Sequence, residues 1–433
     1  MSDRRYRPPR ALSLLREHLR DTFWFAPAAG LLCALALWWG ASALDTQIIA
    51  YLQREQAYEA ISDLISIADD SKTIVTTVSS AMMTFIGVVF SISLVAVQMA
   101  SGQLTPRVVR IFVRSRISKL TLTVFLATFL FSLLVLTSYE SETDPKLVTS
   151  VPLVQSLLTM AMVGLSLLLF IAYVSAMLRL MQVGPVVDHI ARESFHMLRR
   201  QSAGGQDLAP LAPETAWVAH HGRAGVLRDV NVARLVRVAG RHGVVLRLIP
   251  RIGDYVVPGM PVLAVHGEGW PRQALRSAVS VGVERSFHQD LGFGLRQLSD
   301  IALRALSPAV NDPTTAVQCL DRIVQFLAAV VRMPLGTVQH RDRQGDVRLV
   351  QDVPGWTDLV DLGLAEVRLY APGHPQVTRR LVAGIDDLLL LTPQERREPL
   401  LRHRTLLVQA VERTVPEAAE RAFALEPDRQ GIG

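Results

Sequence analysis

Cysteine is almost missing from this chain: two residues in 433, Cys33 and Cys319. A disulfide framework and a cysteine-based metal site are therefore excluded as organising features. Aromatic residues are also scarce, at 6%. Forty-five Lys and Arg stand against 39 Asp and Glu, but with few stacking platforms this basic excess does not point to nucleic acid. The basic residues gather beside apolar runs instead, which fits a membrane surface. The apolar run after the basic N-terminus is too long for a signal-peptide core, and no clean small-x-small cleavage site follows it. GxxxxGK[ST], GxGxxG after a strand, GxSxG and HExxH are all missing. His220, His221, His242 and His266 lack zinc-ligand spacing and read as surface or turn residues. No metal, cofactor or catalytic residue is expected, and there is no internal repeat.

What the chain has in abundance is long apolar runs. About 20 apolar residues are needed to cross a bilayer, and four segments qualify: 23–44, 75–99, 120–138 and 151–178. None contains Asp, Glu, Lys, Arg or His, which argues against a proton relay or a charge-coordinated ion inside the membrane. Arg4, Arg5, Arg7, Arg10, Arg16 and Arg20 precede the first run, and Arg107, Arg110, Arg114, Arg116 and Lys119 lie between the second and third. The other two connections are mostly acidic. The positive-inside rule then places both termini in the cytoplasm.

The expected organisation is a basic N-terminus (1–22), a four-helix transmembrane domain (23–178), a connecting helix and linker (179–213), a small β-barrel-like domain (214–270) and a mostly helical cytoplasmic domain (271–433). The barrel expectation rests on short β-like runs. Arg234 to Val238 alternates, Val244 to Ile249 continues, and Gly253 to Val265 resembles half of a biotinyl or lipoyl carrier module. The swinging-arm lysine of those carriers has no counterpart here. Val347 to Val350 reads as a further strand, and the last dozen residues as frayed.

Three sets of residues stand out. Thr77, Ser80, Thr84, Gly87, Ser91 and Gln98 recur mostly at three- and four-residue steps on one face of the second span. They either pack against another helix or line a conduction path. Arg107, Arg110 and Arg114 follow a Thr105-Pro106 helix start and read as snorkelling contacts to anionic headgroups, with an anion-attracting vestibule as the other reading. The third set surrounds a helical corner, Ser307-Pro308-Ala309-Val310-Asn311-Asp312-Pro313-Thr314-Thr315. Pro308 stops one helix, Asp312 caps the next and Pro313 opens it. Capping alone does not require Ser307, Asn311, Thr314 and Thr315 together. A ligand or subunit contact that includes Arg285, His288 and Asp290 upstream stays open beside the structural reading. A hydrolase reading with Ser307, His288 and Asp290 or Asp312 rests only on nearness in sequence.

The segments Gly87–Phe112, Gly253–Val265 and Val283–Ile323, the last containing SPAVNDPTTA, resemble a family of bacterial predicted membrane proteins classed as domain of unknown function 2254. The resemblance spans nearly the whole chain. It implies four spans and a cytoplasmic C-terminal region and carries no activity or catalytic residues. The expected fold class is thus membrane α-helical plus a cytoplasmic α+β region. The expected protein lies in the bacterial inner membrane, contacts the lipid bilayer and its anionic headgroups, and forms a homo-oligomer. The leading functional expectation is a channel or transport-like assembly with a cytoplasmic gating or assembly domain, in broad architecture like the small-conductance mechanosensitive channels. The other is a non-transporting scaffold or sensor whose ligand or partner site is the 283–323 corner.

Overall fold

The computed structural model describes residues 24–103, 116–139, 144, 146–200, 210–268 and 278–431. Arg107, Arg110 and Arg114 lie outside them. The chain divides into two compact units with a boundary at Gln182/Val183.

The first unit contains four helices: α1 (Phe25–Arg54), α2 (Tyr58–Gln103), α3 (Arg116–Thr137) and α4 (Leu153–Met181). Each is long and apolar enough to cross a membrane. The third is the most buried. Ala127, Phe131 and Val135 on α3 meet Ala34 on α1 and Val75 on α2. Gly30 lets α1 approach Thr123 on α3, where a Cβ would collide. Phe85, Phe125 and Phe170 from α2, α3 and α4 form a cluster with ring centroids 5.4–6.4 Å apart. Hydroxyls bridge the helices without charge: Ser93 and the Tyr173 hydroxyl lie 2.6 Å apart, and Thr128 and Ser166 lie 3.2 Å apart. The interior of this unit is therefore filled by aromatic rings and paired hydroxyls.

One carboxylate breaks the apolar pattern. Asp45 on α1 is 1% exposed and accepts the backbone N–H of Val154 at 2.8 Å and of Gln155 at 3.3 Å. These N–H groups belong to the first turn of α4, where no intrahelical partner exists. Asp45 thus caps a helix other than its own. The residues of α2 before the expected span are helical as well. Ile61, Leu64, Ile65 and Ala68 pack on Ile49, Val148 and Val151.

The second unit opens with α5 (Val183–Arg200) and a mixed region: β1 (Glu214–Ala219), β2 (Gly225–Val230), α6 (Val232–His242), β3 (Val245–Leu248), β4 (Tyr255–Val256), β5 (Pro261–His266) and β6 (Val279–Gly282). It continues through α7 (Phe293–Ala305), α8 (Pro313–Val330), β7 (Thr337–Arg341), β8 (Val347–Asp352), α9 (Trp356–Tyr370), α10 (Pro375–Leu391), α11 (Glu398–Thr414) and α12 (Ala418–Leu425). The last of these enters only the first four of the dozen residues expected to be frayed, and described residues 426–431 are not helical.

The described strands form no closed barrel. A five-stranded sheet runs β1-β5-β3-β8-β7 and a three-stranded sheet runs β4-β2-β6. The expectation failed at two points. Arg234 to Val238 is helical, because Asn231 accepts the Arg234 N–H at 3.0 Å as an N-cap and Gly243 closes the helix at φ +65°. Val232, Leu235 and Ala239 fall on its buried side, and a five-residue run cannot separate that spacing from alternation. The second point is β8. It comes from more than 80 positions further along the chain than β5 and pairs parallel to β3, so the sheet is completed from the helical region and not from a local hairpin.

At the centre of the helices lies α7. Phe293, Gly294, Leu295, Gln297, Leu298, Ser299, Ile301, Ala302 and Ala305 are all buried, so it is enclosed on nearly every side. Close approach is the reason for its glycine: a Cβ at Gly294 would stand 2.9 Å from Cβ of Ser194 on α5. Helix α5 is held further by Phe195 against Phe326, with centroids 6.0 Å apart, and by Asp188 with Arg322 at 2.5 Å. The helix that follows the fourth span in sequence is thus packed into the helical core of the second unit.

Candidate functional site

The SPAVNDPTT corner joins α7 to α8, and Ser307, Asp312 and Thr315 have local partners for their side chains. The Ser307 hydroxyl donates to Arg304 O at 2.7 Å. Ser307 O accepts from the N–H of Val310 and of Asn311 at 3.0 and 2.9 Å, and Asp312 N–H donates to Ala305 O at 2.8 Å. Asp312 accepts from the Thr315 N–H at 3.0 Å and the Thr315 hydroxyl at 2.6 Å. Asp312 is therefore the N-cap expected from the sequence. Asn311 has a specific reason to be Asn: its φ is +48°, in the left-handed region, which Asn tolerates better than other side-chain-bearing residues. Thr314 is exposed.

The upstream set forms a second, separate cluster at the other end of α7. Arg285 donates to Asp290 through Nε at 2.6 Å and Nη2 at 2.8 Å. Asp290 is 3% exposed, and burial pushes its carboxyl above the usual range against the pull of Arg285. The pair is seated on Gly253, whose φ is +100° and where a Cβ would lie 2.7 Å from Asp290 Oδ2. Phe293 lies under the guanidinium, 5.6 Å from ring centroid to Cζ. His288 Nε2 stands 3.5 Å from Oδ1 of Asp229 on β2. Gln289 binds both sides of one β2 residue's backbone, accepting from Val230 N–H at 3.1 Å and donating to Val230 O at 3.0 Å. Segment 283–292 thus fastens β2, the Gly253 turn and α7 to one another.

The two clusters do not converge. Thirteen residues of α7 separate them by ~20 Å at 1.5 Å per residue. Ser307, His288 and Asp290 consequently form no triad, and the hydrolase reading fails on geometry. Sequence reasoning does not single out Glu366 on α9, whose Oε2 lies 2.6 Å from Arg296 Nη2 beside the i, i+4 partner Asp300. It missed a partly buried chain of contacts in which Arg368 Nε donates to His403 Nδ1 at 3.2 Å and His403 Nε2 faces Asp361 Oδ1 at 2.8 Å. Burial holds His403 below the ordinary histidine range. Its members are 7 and 35 residues from Arg368 in sequence, too scattered for a spacing argument. Among the described residues no group of His, Cys, Asp and Glu is arranged to hold a metal ion.

The six small or polar residues of α2 have a clearer geometry. Thr77, Ser80, Thr84, Gly87, Ser91 and Gln98 are all exposed, whereas Val75, Ser79, Met82, Val89 and Ala96 are buried against the other helices. At 100° per residue the two sets lie on opposite sides of the helix. Met83, Phe90 and Leu94 flank the polar set on one side, Val88, Val95 and Met99 on the other; all six are exposed. The stripe therefore faces away from the chain's own bundle.

A family model described as "Predicted membrane protein (DUF2254)" matches residues 20–387. The chain belongs to that family. It is similar to an uncharacterised protein of Mycobacterium bovis and to uncharacterised proteins of two Mycobacterium tuberculosis strains. Each is 29% identical over 382 residues, which cover 83% of this chain and 70% of the relative. No solved structure matches. Family membership and the four apolar helices agree that this is a membrane protein.

The corner yields a test in which the two candidate roles separate. Asp312→Ala is expected to lower stability by about 0.5–2 kcal/mol through loss of the cap, and Asn311→Ala by about 1–2 kcal/mol through left-handed strain. Asn311→Gly removes that strain, so melting of the full-length protein should return close to the parent value. An Asn311→Gly variant that melts normally but loses its oligomeric state or function would show that the Asn311 amide has a binding role beyond conformation.

Proposed function

We propose that the chain is one subunit of a homo-oligomeric membrane assembly, in which the polar face of α2 from neighbouring copies bounds a path for solutes or ions. The observation that carries this reading is the outward stripe on α2. Hydroxyl and amide groups in hydrocarbon without partners are unfavourable, so this face calls for protein or water beside it. A path through one subunit is disfavoured by Phe85, Phe125 and Phe170, which fill the space between α2, α3 and α4. Back-bonding of Thr77 to Thr73 O at 2.9 Å and of Ser80 to Thr76 O at 3.2 Å leaves hydroxyl lone pairs on the exposed face, as a hydrated lining needs. The second unit would then assemble or gate the path.

In orientation, both ends of the chain are assigned to the cytoplasm of a bacterial inner membrane on the distribution of Arg and Lys. Reporter fusions at Pro145 should read periplasm and fusions after Gly204 should read cytoplasm. A periplasmic reading after Gly204 would reverse the assignment.

For the path itself, Thr84→Leu and Ser91→Leu should each reduce ion flux in reconstituted vesicles while the oligomer remains intact. Wild-type vesicles without flux, or flux unchanged by both substitutions, would leave the stripe as a subunit contact. The protein would then be read as a scaffold or sensor.

A further inference from the structure

We propose that the five-stranded sheet of one copy continues into that of the next, with the outer edge of β1 paired antiparallel to the outer edge of β7. This rests on the oligomeric reading above and specifies the contact that would build it in the second unit. Among the described residues no strand pairs with the outer edge of β1 or of β7. Each edge presents backbone N–H and C=O groups that seek a ladder partner. Neither strand contains Lys or Pro, two of the usual devices that keep such an edge from pairing.

The two edges match in direction and level. Strand β1 is antiparallel to β5, β5 to β3 and β7 to β8, while β3 and β8 are parallel. It follows that β1 and β7 point in opposite senses, so a neighbour's β1 laid beside β7 extends the sheet as an antiparallel pair. One cross-strand row contains Val218, Leu263, Leu248, Gln351 and Val338. The next contains Ala216, Val265, Leu246, Leu349 and His340. At each edge the same face of the sheet is the buried one, so joining edges keeps core residues on the core side. Between these two rows lies a third on the opposite face, made of Trp217, Ala264, Arg247, Val350 and Gln339. The bulges in β1, at Glu214/Ala216 and Val218/Ala219, confine regular pairing to its centre.

Space for a strand is present. A groove of about 590 Å³ is lined by Glu214 through Ala219 and by His221, without any residue of β5. Trp217 stands 55% exposed on that edge. Because the two edges differ, the contact is heterologous, and its repetition closes a ring when the rotation between copies permits.

The test uses full-length protein in lipid vesicles, in a Cys33→Ser background. Cys319 stays, since it is fully buried and burial pushes its thiol up. Paired strands bring Cα atoms to about 4.5–5.5 Å, within disulfide reach. Trp217→Cys and Gln339→Cys, which fall in one cross-strand row, should on one chain give a ladder of cross-linked species under mild oxidation. The two single variants, tagged differently and co-expressed, should give only a mixed dimer. Trp217→Cys alone should give no cross-link. The proposal is overturned if Trp217→Cys cross-links to itself, which would mean β1 pairs with β1. It is also overturned if the double variant stays uncross-linked while its mass is oligomeric, a result that leaves the membrane assembly standing. A monomeric mass would remove both.

Discussion

A bilayer offers no hydrogen bonds, and this constraint governs the first unit. Every polar group placed between the headgroups must find its partner in protein or in water. Within the four-helix bundle several groups meet that requirement locally: Ser93 with Tyr173, Thr128 with Ser166, and Trp38 Nε1 donating to Ser138 at 3.1 Å; the buried side chains of Ser118, Thr121 and Gln155 do not. On the far side of α2 it is met only in part inside the chain: Thr77 and Ser80 donate to Thr73 O and Thr76 O of their own helix, while the stripe itself stays exposed. Six small or polar residues point away from the bundle between two flanks of apolar ones. The asymmetry of a single helix, apolar inward and polar outward, is the reverse of what a lone subunit in lipid would require, and it ties the reading of the whole protein to association.

The second unit is organised around the burial of one helix. Ordinary surface helices show a single apolar stripe, yet α7 is enclosed by α5, α8 and α9 and supports fixed polar joints at its rim. Gly294 admits α5, Ser299 donates to Leu362 O at 3.0 Å on α9, and Arg296 joins Asp300 and Glu366. At its N-terminal end the Arg285–Asp290 pair and Gln289 tie it to the β region, and at its C-terminal end Asp312 restarts the chain as α8. The concentration of unusual residues between 283 and 315 is explained by these joints. Removing one partner of a buried pair such as Arg285–Asp290 leaves an uncompensated charge, typically a loss of about 3–5 kcal/mol, so such residues would be held in place without any ligand.

Elements with an unambiguous period were legible in the sequence. Four spans follow from apolar length, and the α7–α8 corner follows from a Pro, an Asp cap and a second Pro. Less legible was the β region, where Arg234 to Val238 satisfies strand and helix spacing alike and only the Asn231 cap and Gly243 decide. Val244 to Ile249 and Val347 to Val350 were legible as strands and are β3 and β8, but their parallel pairing was not, because β8 is imported from the helical region. Asp45 was overlooked for a similar reason. It stands one residue past an apolar run, and its partners at 154 and 155 are more than 100 positions away. The outward direction of the α2 stripe also needed structure: periodicity places six residues on one face but does not say what that face meets.

The central claim is that this face meets protein or water and not lipid. Spin labels at Ser91 and Phe90 in vesicle-reconstituted protein test it directly, through collision with dissolved oxygen, which concentrates in hydrocarbon. The account predicts high oxygen accessibility at Phe90 and low accessibility at Ser91. Equal, high accessibility at both positions would place the stripe in lipid and contradict it.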